Sequence, residues 1–221
     1  VYQQYISDTP TTIVSNLKDD GYTCIAMHPY YETGWSRNLV YPHIGFDEMH
    51  FIDYFDQTKI LREYITDQEL YDKIIKRYEN RKNNEKLFFM GITMQNHGGY
   101  TETYDNFPEN YYKVGRSYTD ANQYLSMVHE SDEAVKNLIS YFSKVDDPVE
   151  IIFFGDHQPS LNSNFYPILN GKGLTGLTED ELEKLYTVPF LIWTNYDTQE
   201  ETVDITSLDY LSTMALERAG I

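Results

Sequence analysis

The chain has 221 residues, 41% of them hydrophobic and 15% aromatic, which suits a folded domain and is too apolar for disorder. Its formal net charge of −18 excludes the basic face that nucleic-acid binding requires. Cys24 is the single cysteine, so no internal disulfide can form, and no apolar run is long enough to cross a bilayer.

Short apolar runs bounded by turn signals predict strands, and helical patterns lie between them. In chain order, the predicted strands are 22–27, 87–94, 150–154 and 188–194. The predicted helices are 10–20, 67–81, 117–143, 178–185 and 205–219. Gly21 marks the end of the first helix, and Thr178 with Glu181 forms a capping box at the start of the fourth.

This alternation of strands and helices predicts α/β layers around a mostly parallel sheet. The sequence contains no Gly/Ser-rich linker, which predicts a single domain over residues 1–221. In parallel sheets, ligands bind beyond the carboxyl ends of the strands. Three of the six histidines, His28, His97 and His157, follow predicted strands, so chemistry is expected there.

Asp156 and His157 come directly after the third predicted strand and Gly155. A carboxylate oxygen and an imidazole nitrogen suit Zn²⁺ or Mn²⁺, whereas the nitrogen makes Mg²⁺ a poorer match. The alternative is that Asp156 caps a turn and His157 is a surface residue. The dipeptide alone does not separate these interpretations.

The loops after the first two strands carry further candidates. Arg37 could grip a phosphate or sulfate through two hydrogen bonds, and Trp35 could stack on the apolar edge of a polyol or sugar. His97, followed by two glycines, could hydrogen-bond an oxyanion that approaches the backbone closely. The alternatives are a packed loop with a surface arginine and a loop histidine that satisfies a backbone carbonyl.

Several blocks of the sequence together resemble one known family in order and spacing, over almost the whole chain. They are residues 17–22 with His28-Pro29, Trp35-Ser36-Arg37, Gly45-Phe46-Asp47, 94–98, 155–159, 188–193 and 216–221. The family comprises the extracellular catalytic domains of lipoteichoic acid synthases and related phosphoglycerol transferases. It is part of the sulfatase/alkaline-phosphatase superfamily, whose fold this chain is therefore expected to share.

The resemblance implies a role for six residues of this chain. Asp156 and His157 correspond to metal ligands, and the pocket for the phosphoglycerol group corresponds to His28, Trp35, Arg37 and His97. The family typically uses Mn²⁺, and Mg²⁺ or Zn²⁺ would also be compatible. It transfers glycerophosphate from a lipid donor through a covalent Thr intermediate, in which the metal activates the hydroxyl and His and Arg stabilise the phosphoryl oxygens.

One departure from the family pattern limits what this chain is expected to do alone. In the family, the nucleophilic Thr and a metal-binding acid precede the region that corresponds to Val1. The chain is therefore expected to be the C-terminal part of a catalytic domain, without its first strands and two of its four metal ligands. Such a fragment should be soluble, bind metal weakly and be inactive. The parent protein is expected to be membrane-anchored, with this domain at the extracellular face of the bacterial cytoplasmic membrane.

Two other functions remain open from the sequence. The first is a sulfatase or phosphodiesterase that hydrolyses a small anionic ester. The Cys/Ser-x-Pro/Ala-x-Arg motif of sulfatases is absent around Cys24, and the pair Trp35 and Arg37 favours the transferase. The second is a non-catalytic binding domain of the same fold. The sequence identifies neither the acceptor nor the oligomeric state.

Overall fold

The computed structural model describes residues 10–107, 109 and 118–221. The chain divides into two compact units, the first within residues 1–112 and 122–138, the second within 113–121 and 139–221. The first unit contains a three-stranded sheet and a two-stranded hairpin, and the second contains a two-stranded sheet. The expectation of a single domain over residues 1–221 stays a prediction.

The described residues contain the following strands and helices. The strands are β1 (Tyr22–Met27), β2 (Glu48–His50), β3 (Ile60–Leu61), β4 (Tyr64–Ile65), β5 (Lys86–Gly91), β6 (Glu150–Phe154) and β7 (Phe190–Thr194). The helices are α1 (Ile13–Asp19), α2 (Arg37–Ile44), α3 (Asp67–Glu79), α4 (Thr119–Phe142), α5 (Tyr166–Asn170), α6 (Glu179–Glu183) and α7 (Leu211–Ala219). Short 3₁₀ turns lie at Gly34–Ser36, Ile52–Tyr54, Leu174–Gly176 and Leu208–Tyr210.

The sheet of the first unit is parallel, with β1 between β2 and β5. The last four residues of β1 are buried, as expected of an apolar central strand with neighbours on both edges. Helix α1 precedes β1. It starts at a capping box in which Thr12 accepts a hydrogen bond from the Ser15 amide, and Gly21 follows its C-cap with a φ of +83°.

Helix α3 packs against β5 in the first unit. Leu70 and Ile74 are buried, and their side chains lie so close to Gly91 that an added Cβ would be 3.3 Å from Ile74. From the same helix, Arg77 forms ion pairs of 2.7 Å with Glu48 in β2 and 2.9 Å with Glu85 before β5. These contacts join α3 to the amino ends of β2 and β5.

The second unit is organised around β6 and β7, which pair antiparallel from Glu150–Thr194 to Phe154–Phe190. Asn195 anchors this pair because its side-chain amide donates to the carbonyls of Phe142, Val145 and Asp147. Its side-chain oxygen accepts from the Val149 amide at 2.8 Å. One asparagine thereby fixes the chain between the end of α4 and the start of β6.

The α/β class is confirmed, but β6 is not covered on both faces in the described residues, although its run of apolar residues is typical of a buried strand. Phe153 and Phe154 are 37% and 43% exposed, and β6 pairs only with β7 in the part of the chain that the structure describes. An apolar run indicates a tendency to be buried and does not encode strand direction or the number of neighbours.

The predicted helices are present, mostly shorter than their patterns. Helix α4 lies within the predicted range 117–143, of which Ser117 is outside the described residues. The capping box of Thr178 and Glu181 is confirmed at the start of α6. No helix in the described ranges combines the length and apolar character needed to cross a membrane.

Candidate functional site

The carboxyl ends of β1, β2 and β5 meet at one edge of the parallel sheet. His28 follows β1, and its amide donates to the carbonyl of His50 at the end of β2, at 2.9 Å. The Ile92 amide donates to the carbonyl of Met27, also at 2.9 Å. Strand pairing thus continues one residue past the strands and fixes the backbone of His28.

His28 is 1% exposed, and its Nδ1 lies 2.9 Å from the Ile92 carbonyl oxygen. A carbonyl only accepts, so Nδ1 carries the proton and the lone pair is on Nε2. Nε2 is buried and has no hydrogen-bond partner among the described residues. Burial lowers the pKa of His28 to about 4, and the charge of Arg37 contributes to the shift. His28 is therefore a neutral histidine with one buried acceptor atom.

Trp35 and Ser36 both adopt left-handed backbone conformations, with φ of 53° and 56°. Such conformations cost a non-glycine residue of order 1 kcal/mol or more and persist where the surroundings impose them. They form the junction between the Gly34–Ser36 turn and α2. An added Cβ at Gly34 would lie 3.0 Å from the Tyr30 ring, so a side chain there would disturb the junction.

Arg37 begins α2 and is buried beneath Trp35. Its Nε donates to the Tyr41 hydroxyl at 3.0 Å, and its Nη1 donates to the Gly34 carbonyl at 3.3 Å. The guanidinium carbon lies 4.4 Å from the centroid of the Trp35 ring, within the range of a cation–π contact. These contacts hold a charged, planar donor group in one orientation at the end of the sheet.

His97 lies on the loop after β5, six residues beyond the end of the strand. Arg62 holds this loop from the β3–β4 turn, because its Nη2 donates to the carbonyls of His97 and Gly99, each at 3.2 Å. The Tyr64 hydroxyl lies 3.3 Å from Nδ1 of His97. Gly99 has a φ of +97°, which a larger residue would adopt only with strain.

These four predicted pocket residues lie together in the first unit. The Trp35 ring is central, 6.0 Å from the His28 ring and 6.1 Å from the His97 ring, with Arg37 against its face. His28 and Arg37 are buried, whereas Trp35 is 44% exposed and His97 is also exposed. The set His28, Trp35, Arg37 and His97 is called the anion cluster below.

A buried polar network supports the loop that carries His97. The Ser131 hydroxyl donates to Asp67 at 2.6 Å and accepts from Asn96 at 2.9 Å and from Gln95 at 3.3 Å. The Gln95 side-chain oxygen in turn accepts from the Asp67 amide. Burial raises the pKa of Asp67 to about 6, although hydrogen bonds to its carboxylate from the Ser131 hydroxyl and the Gln95 backbone oppose the shift.

Asp156 and His157 lie in the second unit, on the turn after β6. Gly155 before them does not have a positive φ. Its role is a close approach, since an added Cβ would lie 3.1 Å from Cβ of Val188. The His157 amide donates to Asp156 at 2.9 Å, and both side chains are largely exposed, at 84% for Asp156 and 76% for His157.

The chemistry of this pair fits part of a metal site. Nδ1 of His157 lies 2.9 Å from the Gln158 carbonyl, so it carries the proton and leaves the Nε2 lone pair for a cation. That Nε2 is 3.7 Å from Oδ2 of Asp156, close enough for both to face one ion. Within the described ranges, however, no group of three or more His, Cys, Asp or Glu could hold a metal. The two residues therefore fit as an incomplete donor set.

Sequence reasoning missed the residues that position the anion cluster. Arg62 and Tyr64 lie in a hairpin whose strands have two residues each, too short to produce a periodic pattern. Asp67 and Ser131 are 64 residues apart, so their pairing has no local signal. Tyr30 lies in the loop after β1, which also contains Trp35, but nothing in the sequence distinguishes it from its neighbour Tyr31.

The whole chain, residues 1–221, matches the family model described as Sulfatase. A putative cyclic beta-1,2-glucan modification protein of Rhizobium meliloti is 26% identical over 227 residues, which cover 99% of this chain and 35% of that protein. The lipoteichoic acid synthase of Staphylococcus saprophyticus is 30% identical over 146 residues, covering 63% of this chain and 22% of that protein. The chain thus spans about a third or less of these relatives.

Two solved structures resemble the fold. The lipoteichoic acid synthase LtaP from Listeria monocytogenes has a TM-score of 0.68 at 20% identity, over 86% of this chain and 48% of LtaP. The Streptococcus pyogenes phosphoglycerol transferase GacH, in complex with sn-glycerol-1-phosphate, has a TM-score of 0.62 at 23% identity, over 82% of this chain and 45% of GacH. At these identities the likeness shows the fold, which the sequence resemblance had implied. Since the family model covers the chain from end to end, this chain belongs to the sulfatase family, a family of enzymes.

Proposed function

We propose that the protein to which this chain belongs transfers glycerophosphate from a lipid donor to an acceptor. The observation that carries the proposal is the anion cluster, in which a fixed guanidinium, an indole ring and two imidazoles meet at the sheet edge. The names of the relatives support it, since they include a lipoteichoic acid synthase and a phosphoglycerol transferase solved with sn-glycerol-1-phosphate.

Each residue of the anion cluster has a distinct role in this proposal. Arg37 donates to the phosphate oxygens, and Trp35 provides an apolar face for the glycerol carbons. His97, exposed at the rim, donates a hydrogen bond to a phosphoryl oxygen. His28 is neutral and its buried Nε2 can only accept, so we assign it to a glycerol hydroxyl and not to phosphate.

Asp156 and His157 are proposed as two of the ligands of a divalent metal, Mn²⁺ by resemblance, with Mg²⁺ or Zn²⁺ as alternatives. When bound, such an ion would neutralise charge on the phosphoryl group and lower the pKa of a hydroxyl nucleophile. We further propose, on the family resemblance alone, that the nucleophile is a Thr and that it and the remaining ligands are not among residues 1–221. This chain alone should then not turn over substrate. We also propose that the parent protein is anchored in the membrane, with its catalytic domain outside the cell.

Binding of sn-glycerol-1-phosphate to the 221-residue chain tests the proposal. We expect saturation-transfer NMR to detect binding, and Arg37→Ala to abolish it. Arg37→Lys should weaken it about tenfold, because an ammonium keeps the charge and loses the paired donors and the contact with Trp35. Arg81→Ala, which removes an arginine two residues after the end of α3 and outside the cluster, is the matched control and should have no effect.

An aryl sulfate serves as the competing ligand. Preference for 4-nitrophenyl sulfate over glycerol phosphate would favour the ester-hydrolase alternative and contradict the transferase. Glycerol phosphate binding that survives Arg37→Ala would remove the anion cluster from the proposal.

A further inference from the structure

A cavity adjoins the anion cluster in the first unit. It has a volume of about 100 Å³ and lies between the loop after β1 and the β3–β4 hairpin. Three tyrosines line it, Tyr30, Tyr31 and Tyr64, together with the polar side chains of Gln57 and Glu63 and an apolar floor of isoleucines. We refer to it as the tyrosine cleft.

Two of the tyrosines form a partition between the tyrosine cleft and the anion cluster. The Tyr30 ring lies 5.9 Å from the ring of His28 and 5.9 Å from that of Trp35. The Tyr64 hydroxyl lies 3.3 Å from Nδ1 of His97. A molecule in the cleft would therefore lie one aromatic ring away from a group held by the cluster.

The charges around the tyrosine cleft disfavour an anionic ligand. Of the described residues that line it, none is Lys, Arg or His, and Glu63 contributes a carboxylate. A second phosphate would have no cation to compensate it there. An amide, a carboxylate and phenol hydroxyls are instead suited to hydrogen bonds with the hydroxyl groups of a neutral molecule.

Three aromatic rings favour a sugar over a smaller polyol. The C–H face of a pyranose ring is apolar and packs on the ring of a tyrosine, whereas glycerol has no such face. Tyr31 could provide this packing surface, since 58% of the residue is exposed. A cavity of about 100 Å³ is small for a whole sugar ring, so one edge of a single ring would lie in it and the remainder outside.

The hairpin links the tyrosine cleft to the anion cluster mechanically. Its turn supplies Arg62, which binds the carbonyls of His97 and Gly99, and its second strand supplies Tyr64, which lines the cleft and contacts His97. A ligand that packs against Tyr64 would therefore act on the same element that positions His97.

We propose that the tyrosine cleft binds a neutral sugar residue of the acceptor, which receives the glycerophosphate group. This inference rests on the proposed function. In the transfer step, a sugar hydroxyl oxygen forms the new P–O bond while the P–O bond to the nucleophile's oxygen breaks. The hydroxyl proton passes to that nucleophile oxygen, so the step needs no further reactant.

The test is a saturation-transfer NMR titration of the 221-residue chain with methyl β-glucoside, glycerol and glucuronate as probes. We expect the glucoside to bind and glycerol not to. Tyr31→Ala should weaken glucoside binding about fivefold, because one stacking face is lost. Tyr210→Ala removes a tyrosine of similar exposure, 63%, in the second unit and is the matched control. Thermal melts should show that both variants remain folded.

Glucuronate tests the charge argument, since it adds a carboxylate to the same ring. It should bind more weakly than the glucoside, and Glu63→Gln should reduce that difference. Absence of glucoside binding, equal weakening by Tyr31→Ala and Tyr210→Ala, or binding of glycerol alone would each overturn the inference.

Binding of sn-glycerol-1-phosphate, measured in the same samples, separates the two proposals. If Tyr31→Ala leaves it unchanged while Arg37→Ala abolishes it, Tyr31 contributes to sugar binding and not to phosphate binding, as proposed. Loss of glycerol phosphate binding with retained, Tyr31-dependent glucoside binding would overturn the transferase and keep a sugar site. The reverse result would remove the sugar site alone.

Discussion

His28 titrates differently in the folded and unfolded chain. Its pKa is about 4 in the folded protein because of burial, against 6.5 for an exposed histidine. Between these values the unfolded state binds more protons than the native state, so the free energy of unfolding rises with pH. The contribution of His28 to the free energy of unfolding is fully present above pH 6.5 and is lost as the pH falls towards 4. It amounts to at most about 3 kcal/mol.

We therefore expect His28→Asn to reduce the dependence of stability on pH between 6.5 and 4. Asparagine keeps a donor for the Ile92 carbonyl and does not titrate. Asp67 acts in the opposite direction, because its raised pKa makes the native state bind more protons between about 4 and 6. The quantity to measure is therefore the difference in the free energy of unfolding between variant and wild type, obtained from urea denaturation at several pH values.

His43→Asn is the control for this experiment, since His43 is an exposed histidine on α2. Its removal should leave the pH dependence unchanged. Equal pH slopes for wild type and His28→Asn would mean that His28 is not protected from protonation in the folded chain.

The residues of the anion cluster were predictable because each carries a recognisable chemical type in a block of known spacing. Trp35 and Arg37 are two positions apart, and the structure shows why: two consecutive left-handed residues turn the indole back over the guanidinium. This backbone geometry had no signal in the sequence. Left-handed conformations at Trp and Ser are imposed by tertiary contacts, and local propensity disfavours them.

One small hydrogen-bond network connects the loop that carries His97 to two helices. Helix α3 supplies Asp67, α4 supplies Ser131, and the loop after β5 supplies Gln95 and Asn96. The Ser131 hydroxyl is a donor to one of these groups and an acceptor from the other two. Its removal would leave the buried carboxylate of Asp67, the buried amide of Gln95 and the half-buried amide of Asn96 with fewer partners.

Ser131→Ala should therefore lower the free energy of unfolding by about 1–3 kcal/mol, the cost of leaving buried polar groups unsatisfied. Ser140→Ala on the same helix is the matched control, because Ser140 is exposed and its loss should cost little. Urea denaturation at pH 8 measures both. A cost for Ser131→Ala no larger than that for Ser140→Ala would show that the network does not hold α3 and α4 to the loop.

The predicted boundaries of an element agree with the structure where an apolar run is bordered by a helix cap or a polar residue. Strand β1 has the predicted bounds, because Gly21 ends the preceding helix and His28 is the first polar residue after the run. The antiparallel pairing of β6 with β7 and the β3–β4 hairpin were not predictable. Strand direction depends on which segments meet in space, and a strand of two residues is too short for any alternation of side chains to be recognised.

At the scale of the whole molecule, a net charge of −18 creates a negative potential that attracts divalent cations to many sites. Metal binding to the 221-residue chain therefore has a non-specific component, which must be separated from binding at Asp156 and His157. The non-specific part is screened by salt, whereas coordination by a carboxylate and an imidazole is much less sensitive to it.

We expect substoichiometric Mn²⁺ to broaden the NMR signals of the His157 ring protons even at high ionic strength, with weak affinity because two donors leave most of the coordination to water. Asp156→Asn should abolish this broadening, since it removes one of the two donors. Asp197→Asn removes one negative charge from another exposed position of the second unit, and in this variant the broadening of the His157 signals should persist. If both variants behaved alike, the interaction would reflect the overall charge of the chain, and Asp156 and His157 would not be metal ligands in it.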